Sequence, residues 1–162
     1  MHDSVLAWTA QKVAELGIAA LPTLEVGSQD VNGSVRRFFS GPYTGVDMAE
    51  GRGVDVVASA SALPFPDASF PVVVTTEMLE HDPRFWLSMK EIGRVLAPGG
   101  HLLLTTRGIG FPYHGFPNDY WRFTDDAIRE LLQIAGVREV SLTPDPQHGH
   151  PGWLAHGRKE LR

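Results

Sequence analysis

Apolar residues Leu6, Ala10, Val13 and Ala14 recur at helical spacing before Gly17, and Ser4 stands where it can cap that helix. Pro22 then introduces a strand, Thr23-Leu24-Glu25-Val26, which runs into a turn at Gly27-Ser28. A short helix is expected between Gly33 and Phe39. Gly41-Pro42 ends it before a second strand, Tyr43 to Asp47, and a third short strand over Val54 to Val57. Pro71-Val72-Val73-Val74-Thr75-Thr76 is apolar without alternation, the pattern of a strand buried on both faces.

Pro83 suits the first turn of a helix whose Phe85, Met89, Ile92 and Leu96 form one apolar stripe, ended by Pro98-Gly99-Gly100. His101 to Thr106 reads as a fifth strand. Thr124 caps a further helix with Asp125 and Asp126 in its first turn, Ile128, Leu131, Leu132 and Ala135 on its buried side, and Gly136 at its close. Val137 to Leu142 and Trp153 to Arg158 are the last expected strands. Strands alternating with helices predict an α/β sandwich around a parallel core. In such sheets ligands bind at the carboxyl ends of the strands, so Gly27, Asp47, Ser59, Thr76 and Thr106 are expected around one mouth.

At 162 residues, without a repeat or linker, the chain is read as one domain, with an N-terminal helix over 1–20 and a core over 22–162. A formal net charge of −5 gives no general pull toward nucleic acid or anionic membrane. No cysteine is present, which removes thiol catalysis, disulfides and thiolate metal sites. No metal ligand is assigned. Asp3, Gln11, Lys12 and Glu15 interrupt the first residues, so neither a secretory leader nor a membrane span is expected, and the expected location is cytoplasmic.

A glycine turn after the first strand and a carboxylate about twenty residues later mark a nucleoside-containing cofactor held across the first βαβ unit. A dinucleotide turn needs closely spaced glycines to cradle a pyrophosphate. Here Gln29, Asp30 and Val31 stand inside the turn, and Glu25 and Asp30 would repel phosphate, so the pattern favours a ligand carrying positive charge.

Five segments carry a family resemblance: Glu25-Val26-Gly27-Ser28, Gly45-Val46-Asp47-Met48, Ala60 to Phe70, Glu77-Met78-Leu79-Glu80-His81, and Arg94 to Gly100. Together they make the chain resemble the class I S-adenosylmethionine-dependent methyltransferases, in particular the short type 11 group, over roughly residues 22 to 143. The resemblance implies a Rossmann-like three-layer sandwich whose mostly parallel seven-stranded sheet has order 3-2-1-4-5-7-6, with the last strand antiparallel. It implies S-adenosyl-L-methionine as cofactor, its methionine end over Gly27 and Ser28, its ribose on Asp47 and its adenine against Met48. Ser59 falls where relatives carry an acidic adenine contact. Glu25, Ala60 and Glu77 complete the expected cofactor set.

Methyl transfer from a sulfonium is a direct displacement that calls for alignment more than for a covalent catalyst. If a general base is used, His81 and His114 are the first candidates, ahead of Glu77 and a water held by Asp119. The ring-rich segment from Phe111 to Phe123 either folds onto the sheet edge, with Arg122 paired to Asp119, or holds substrate through Tyr113, Asp119, Tyr120, Trp121 and Arg122. The expected acceptor is a small organic or sugar-like molecule with an oxygen or nitrogen nucleophile. A homodimer could supply further cover. A non-catalytic binding module on the same scaffold stays open as the alternative.

Overall fold

A computed structural model describes residues 2–161. Its centre is a seven-stranded sheet formed by β1 (Thr23–Val26), β2 (Tyr43–Asp47), β3 (Val56–Val57), β4 (Phe70–Thr76), β5 (Leu96–Arg107), β6 (Val137–Pro144) and β7 (Gly152–Lys159). The spatial order is β3-β2-β1-β4-β5-β7-β6. The pairs from β3 through β5 are parallel, and β7 runs antiparallel to both β5 and β6. The expected order and strand directions are therefore those observed.

Helix α1 (Asp3–Leu16) packs on one face, and α2 (Phe85–Val95) and α3 (Asp125–Ile134) pack on the other. The pleat of β4 explains this sorting. Val72 and Val74 join Leu103, Val13, Ile18 and Val35 in one apolar cluster. Val73 turns the other way, into a cluster with Leu102, Leu104, Met89, Ile92, Ile128 and Leu131. Both faces of the central strands are covered, which is why the valine run shows no alternation. Truncating one of these side chains, such as Leu102, to alanine costs about 2–5 kcal/mol.

Local chemistry sets the element ends. Thr124 accepts a hydrogen bond from Ala127 N and caps α3 as expected. Gly17 ends α1 in the left-handed region, at φ 64°. Ser4 does not cap α1. The helix begins two residues earlier than a Ser4 cap would place it, after His2, and Ser4 instead donates to Gln147 Oε1 from both its backbone and its hydroxyl. The Gly33–Phe39 helix reduces to a 3-10 turn, Val35–Phe38, and the third strand to Val56–Val57. Pro98-Gly99-Gly100 lies inside β5 rather than before it, with an irregular register between Phe70 and Val72 taking up the difference. Gly93 lets α2 approach α3, because a Cβ there would collide with the Ala135 backbone.

Candidate functional site

A cavity of about 580 Å³ opens at the carboxyl ends of β1, β2 and β4. Glu25, Gly27 and Ser28 line it from β1 and its turn, Asp47 and Met48 from the end of β2, Ser59 and Ala60 from the loop after β3, and Glu77 from the end of β4. All eight residues expected around a cofactor share this one space. Thr76 joins them. Thr106 does not, because its hydroxyl turns inward to Glu80 Oε2 at 2.7 Å.

The turn after β1 is built for close approach. Gly27 has φ 82°, and Met78 covers it so tightly that a Cβ on Gly27 would lie 2.5 Å from Met78 Cγ. Asp47 holds the turn from the side: its Oδ2 accepts from Gln29 N at 3.1 Å and its Oδ1 from Met48 N at 2.7 Å. A carboxylate has about four acceptor sites, so capacity remains for hydroxyl donors in the cavity. Gly33, at φ 127°, closes the turn by donating from its N–H to Asp30 Oδ1. The inner glycines of a dinucleotide loop are thus replaced by a longer turn tied down with carboxylates.

Glu25 is 2 % exposed, and its Oε2 accepts from the Tyr43 hydroxyl at 2.8 Å. Burial pushes its carboxyl up to about 7, with the Tyr43 bond opposing the shift. The buried Ser28 hydroxyl has no hydrogen-bond partner. Ser59 spends its hydroxyl locally on Ser61. No lysine or arginine lines the cavity among the described residues, whereas Glu25, Asp47, Glu77 and Asp82 do. Arg36 is drawn away to Asp55, and Arg52 to Asp30. The pocket therefore favours a cationic ligand and disfavours pyrophosphate.

At the other end of the cavity lie His81, His114, Phe111, Phe116 and Pro117. His81 Nδ1 is 2.6 Å from the Asn118 carbonyl, which can only accept, so Nδ1 is the donor and, in the neutral ring, Nε2 is the nitrogen with the lone pair. His114 Nδ1 lies 3.1 Å from Asp119 Oδ2, and the Glu80 carboxylate beside its Nε2, with Asp119, holds the imidazole above its usual pKa. Glu77 does not stand free as a base. It accepts from Thr105 Oγ1 and forms an ion pair with the fully buried Arg107, which also binds Asp145. Glu77 is itself in the left-handed region, at φ 56°, a backbone strain at the mouth of the site.

Tyr113, Asp119, Tyr120, Trp121 and Arg122, the expected substrate residues, do not line the cavity. Asp119 and Arg122 clamp the loop by a two-oxygen ion pair, and Arg122 also donates to the Phe111 and Pro112 carbonyls. Trp121 donates from Nε1 to the Asp82 carbonyl and packs edge-on against Phe85. Tyr120 is anchored by its backbone to Glu80, and Tyr113 is 74 % exposed. The residues turned inward are Phe111, His114, Phe116 and Pro117, and of these only His114 was selected from sequence. Met78, Gln29, Val31 and Asn32 also line the cavity without having been selected.

The methyltransferase-domain family model matches residues 26–104, the stretch that holds the β1 turn, Asp47 and Glu77. The chain belongs to the class I S-adenosylmethionine-dependent methyltransferase family. This methyltransferase domain is 47% identical over 107 residues to the 27-O-demethylrifamycin SV methyltransferase of Amycolatopsis mediterranei, covering 59% of this chain and 39% of that one. It is 34% identical over 142 residues to the fatty-acid O-methyltransferase of Mycolicibacterium smegmatis, covering 78% and 51% respectively. The chain thus spans about half the length of these relatives or less. Among solved structures it is similar to the Burkholderia thailandensis 1,6-didemethyltoxoflavin-N1-methyltransferase, crystallised with 1,6-didemethyltoxoflavin and S-adenosylhomocysteine. The TM-score is 0.79 at 20% identity, over 98% of this chain and 79% of that one, a likeness of fold. No helix of the methyltransferase domain is long and apolar enough to cross a membrane among the described residues.

Proposed function

We propose that the cavity binds S-adenosyl-L-methionine and that the domain transfers its methyl group to a small organic acceptor presenting an oxygen or nitrogen nucleophile. The observation that carries this reading is the sign of the pocket: Glu25 and Asp47 on the wall with no lysine or arginine beside them, Glu77 being matched by Arg107 behind it. The residues fit such a ligand. Asp47, fixed by two backbone N–H groups, keeps lone pairs for a ribose diol. Gly27 removes the side chain that would block close approach. Glu25, neutral or charged near pH 7, becomes the better partner for positive charge when ionised.

When bound, the cofactor supplies a methyl group already activated on sulfonium sulfur. The protein's share is alignment, exclusion of water and proton acceptance. In the neutral His81 ring, Nε2 is the nitrogen left to accept, and it is suited to take a proton from the acceptor. His114, flanked by Glu80 and Asp119, is suited to hold charge. Phe111, Phe116 and Pro117 favour an acceptor with an apolar body. A second copy of the chain covering the open rim belongs to the same proposal.

The direct test incubates the protein with methyl-labelled S-adenosylmethionine and a panel of hydroxyl- and amine-bearing organic compounds. Label in an acceptor, with release of the demethylated cofactor, is the expected result. Cofactor binding with no label moved to any acceptor would favour the non-catalytic binding module.

A further inference from the structure

Glu80, His81 and His114 each present one ligand atom, and the three atoms lie within 4.8 Å of one another. We propose that these side chains form a binding site for a divalent cation of the zinc class at the acceptor end of the cavity. The sequence alone assigns no metal, because Thr106, Asn118 and Asp119, which aim the three groups, come from other segments.

The first support is an orphaned carboxylate oxygen. Glu80 is fully buried, and its Oε2 is satisfied by the Thr106 hydroxyl. Its Oε1 has no hydrogen-bond partner and lies 3.7 Å from His114 Nε2, too far for a hydrogen bond. The neighbouring carboxylates are matched: Glu77 and Asp145 meet Arg107, and Asp119 meets Arg122. Glu80 has no guanidinium within ion-pair reach among the described residues; its charge partner is the His114 imidazole, whose Nε2 proton a bound cation would replace.

The second support is the aim of the imidazoles. His81 Nδ1 is held by the Asn118 carbonyl and His114 Nδ1 by Asp119 Oδ2. Oxygen acceptors on the far nitrogen are the usual way in which a metal-binding imidazole is oriented, with Nε2 left to the ion. Two imidazoles and one carboxylate suit zinc and its first-row neighbours better than magnesium or calcium. Ligands about 2.1 Å from a tetrahedral ion stand roughly 3.4 Å apart, so a modest closure of the present arrangement completes the set. His81 and His114 both border the cavity, so an open coordination position would face it.

This inference deepens the methyltransferase reading only in placing the ion beside the acceptor; the binding itself is read on the free protein. With an ion bound, the His81 lone pair would be taken up by the ion, which would instead acidify an acceptor hydroxyl at the open position, the proton passing to solvent. His2 and His150, whose rings are 4.5 Å apart, are the competing place for loose metal binding.

The test uses chelator-stripped protein titrated with Co2+, read by the visible absorption of bound cobalt, and then with Zn2+. One equivalent of Co2+, displaced by Zn2+, is expected. His81→Ala should weaken it by more than about tenfold, whereas His150→Ala should leave it unchanged. Equal affinity in the His81→Ala protein, or loss in His150→Ala, overturns the site. In the unmutated protein, Zn2+ should also shield His81 and His114 from diethyl pyrocarbonate, read by peptide mass; modification unaffected by zinc overturns it independently of any folding defect. S-adenosylmethionine titrated into the same stripped protein separates the two ideas, since each ligand can fail while the other binds.

Discussion

Met78 closes over Gly27 so that no methyl group fits between them: a Cβ on Gly27 would stand 2.5 Å from Met78 Cγ, on a backbone already at φ 82°. Gly27→Ala is therefore expected to cost roughly 1–3 kcal/mol of stability and to weaken cofactor binding at least about tenfold. Adding Met78→Ala should recover the steric part and leave the backbone part. Urea denaturation of the single and double variants measures both; equal stability of Gly27→Ala and the parent would contradict this account of the turn.

Asp47 supports the turn and offers free lone pairs to the cavity, so a substitution there touches both roles. Asp47→Asn keeps one acceptor oxygen, loses the charge that strengthens hydrogen bonds from hydroxyls, and sets its NH2 against Gln29 N or Met48 N. Charge-assisted bonds are worth about 1.5–3 kcal/mol each, which predicts a loss of ~10- to 100-fold in affinity together with a lower melting temperature. Calorimetry on the variant checks this, and unchanged affinity would take Asp47 out of the site.

Glu25 is expected to link cofactor affinity to pH. Burial raises its folded pKa from 4.5 to about 7, so the stability it contributes is fully present below the unfolded value and is lost as pH rises through 7. A cationic ligand favours the ionised form. Affinity for S-adenosylmethionine should therefore rise between about pH 5.5 and 7.5, approaching tenfold per unit at the steepest point, and Glu25→Gln should flatten the profile. Identical profiles for the two proteins would show that Glu25 is not the linked group.

On the far side of the sheet, His101 Nδ1 and His156 Nε2 are 2.9 Å apart, so one ring must accept from the other and both cannot be protonated. Burial, then His101, pushes His156 down to about 4. Its folded pKa lies below the unfolded 6.5, so the stability it contributes is present above 6.5 and is lost as pH falls through 4. Thermal melts should show a loss on the order of 1–2 kcal/mol between these limits, after allowance for solvent screening. His156→Gln should reduce that loss; an unaltered pH dependence would assign it elsewhere.

The fold was legible where one local signal decided the element. The β4 valine run, the Thr124 cap and the Gly17 stop act through their own segments, and each stands where it was expected. Ser4 was misread because the Gln147 carboxamide, far along the chain, takes its hydroxyl. The part of the cavity at the strand ends was legible because strand ends in this topology converge. The ring-lined end was not, since which rings of the Phe111–Phe123 loop face inward depends on the Asp119–Arg122 clamp. Of the two expectations for Arg122 and Asp119, the ion pair is the one observed, and it holds the loop that presents His114 and Phe116. Glu80 gave no signal of its own, because its partners lie on β5 and in the loop.

The carboxylate-lined cavity is expected to bind S-adenosylmethionine. Isothermal titration of the purified chain with S-adenosylmethionine and with its demethylated product tests it most directly. Saturable binding of one equivalent of each, with Kd below about 100 μM, is the expected result. No saturable heat with either ligand up to about 1 mM would contradict the account.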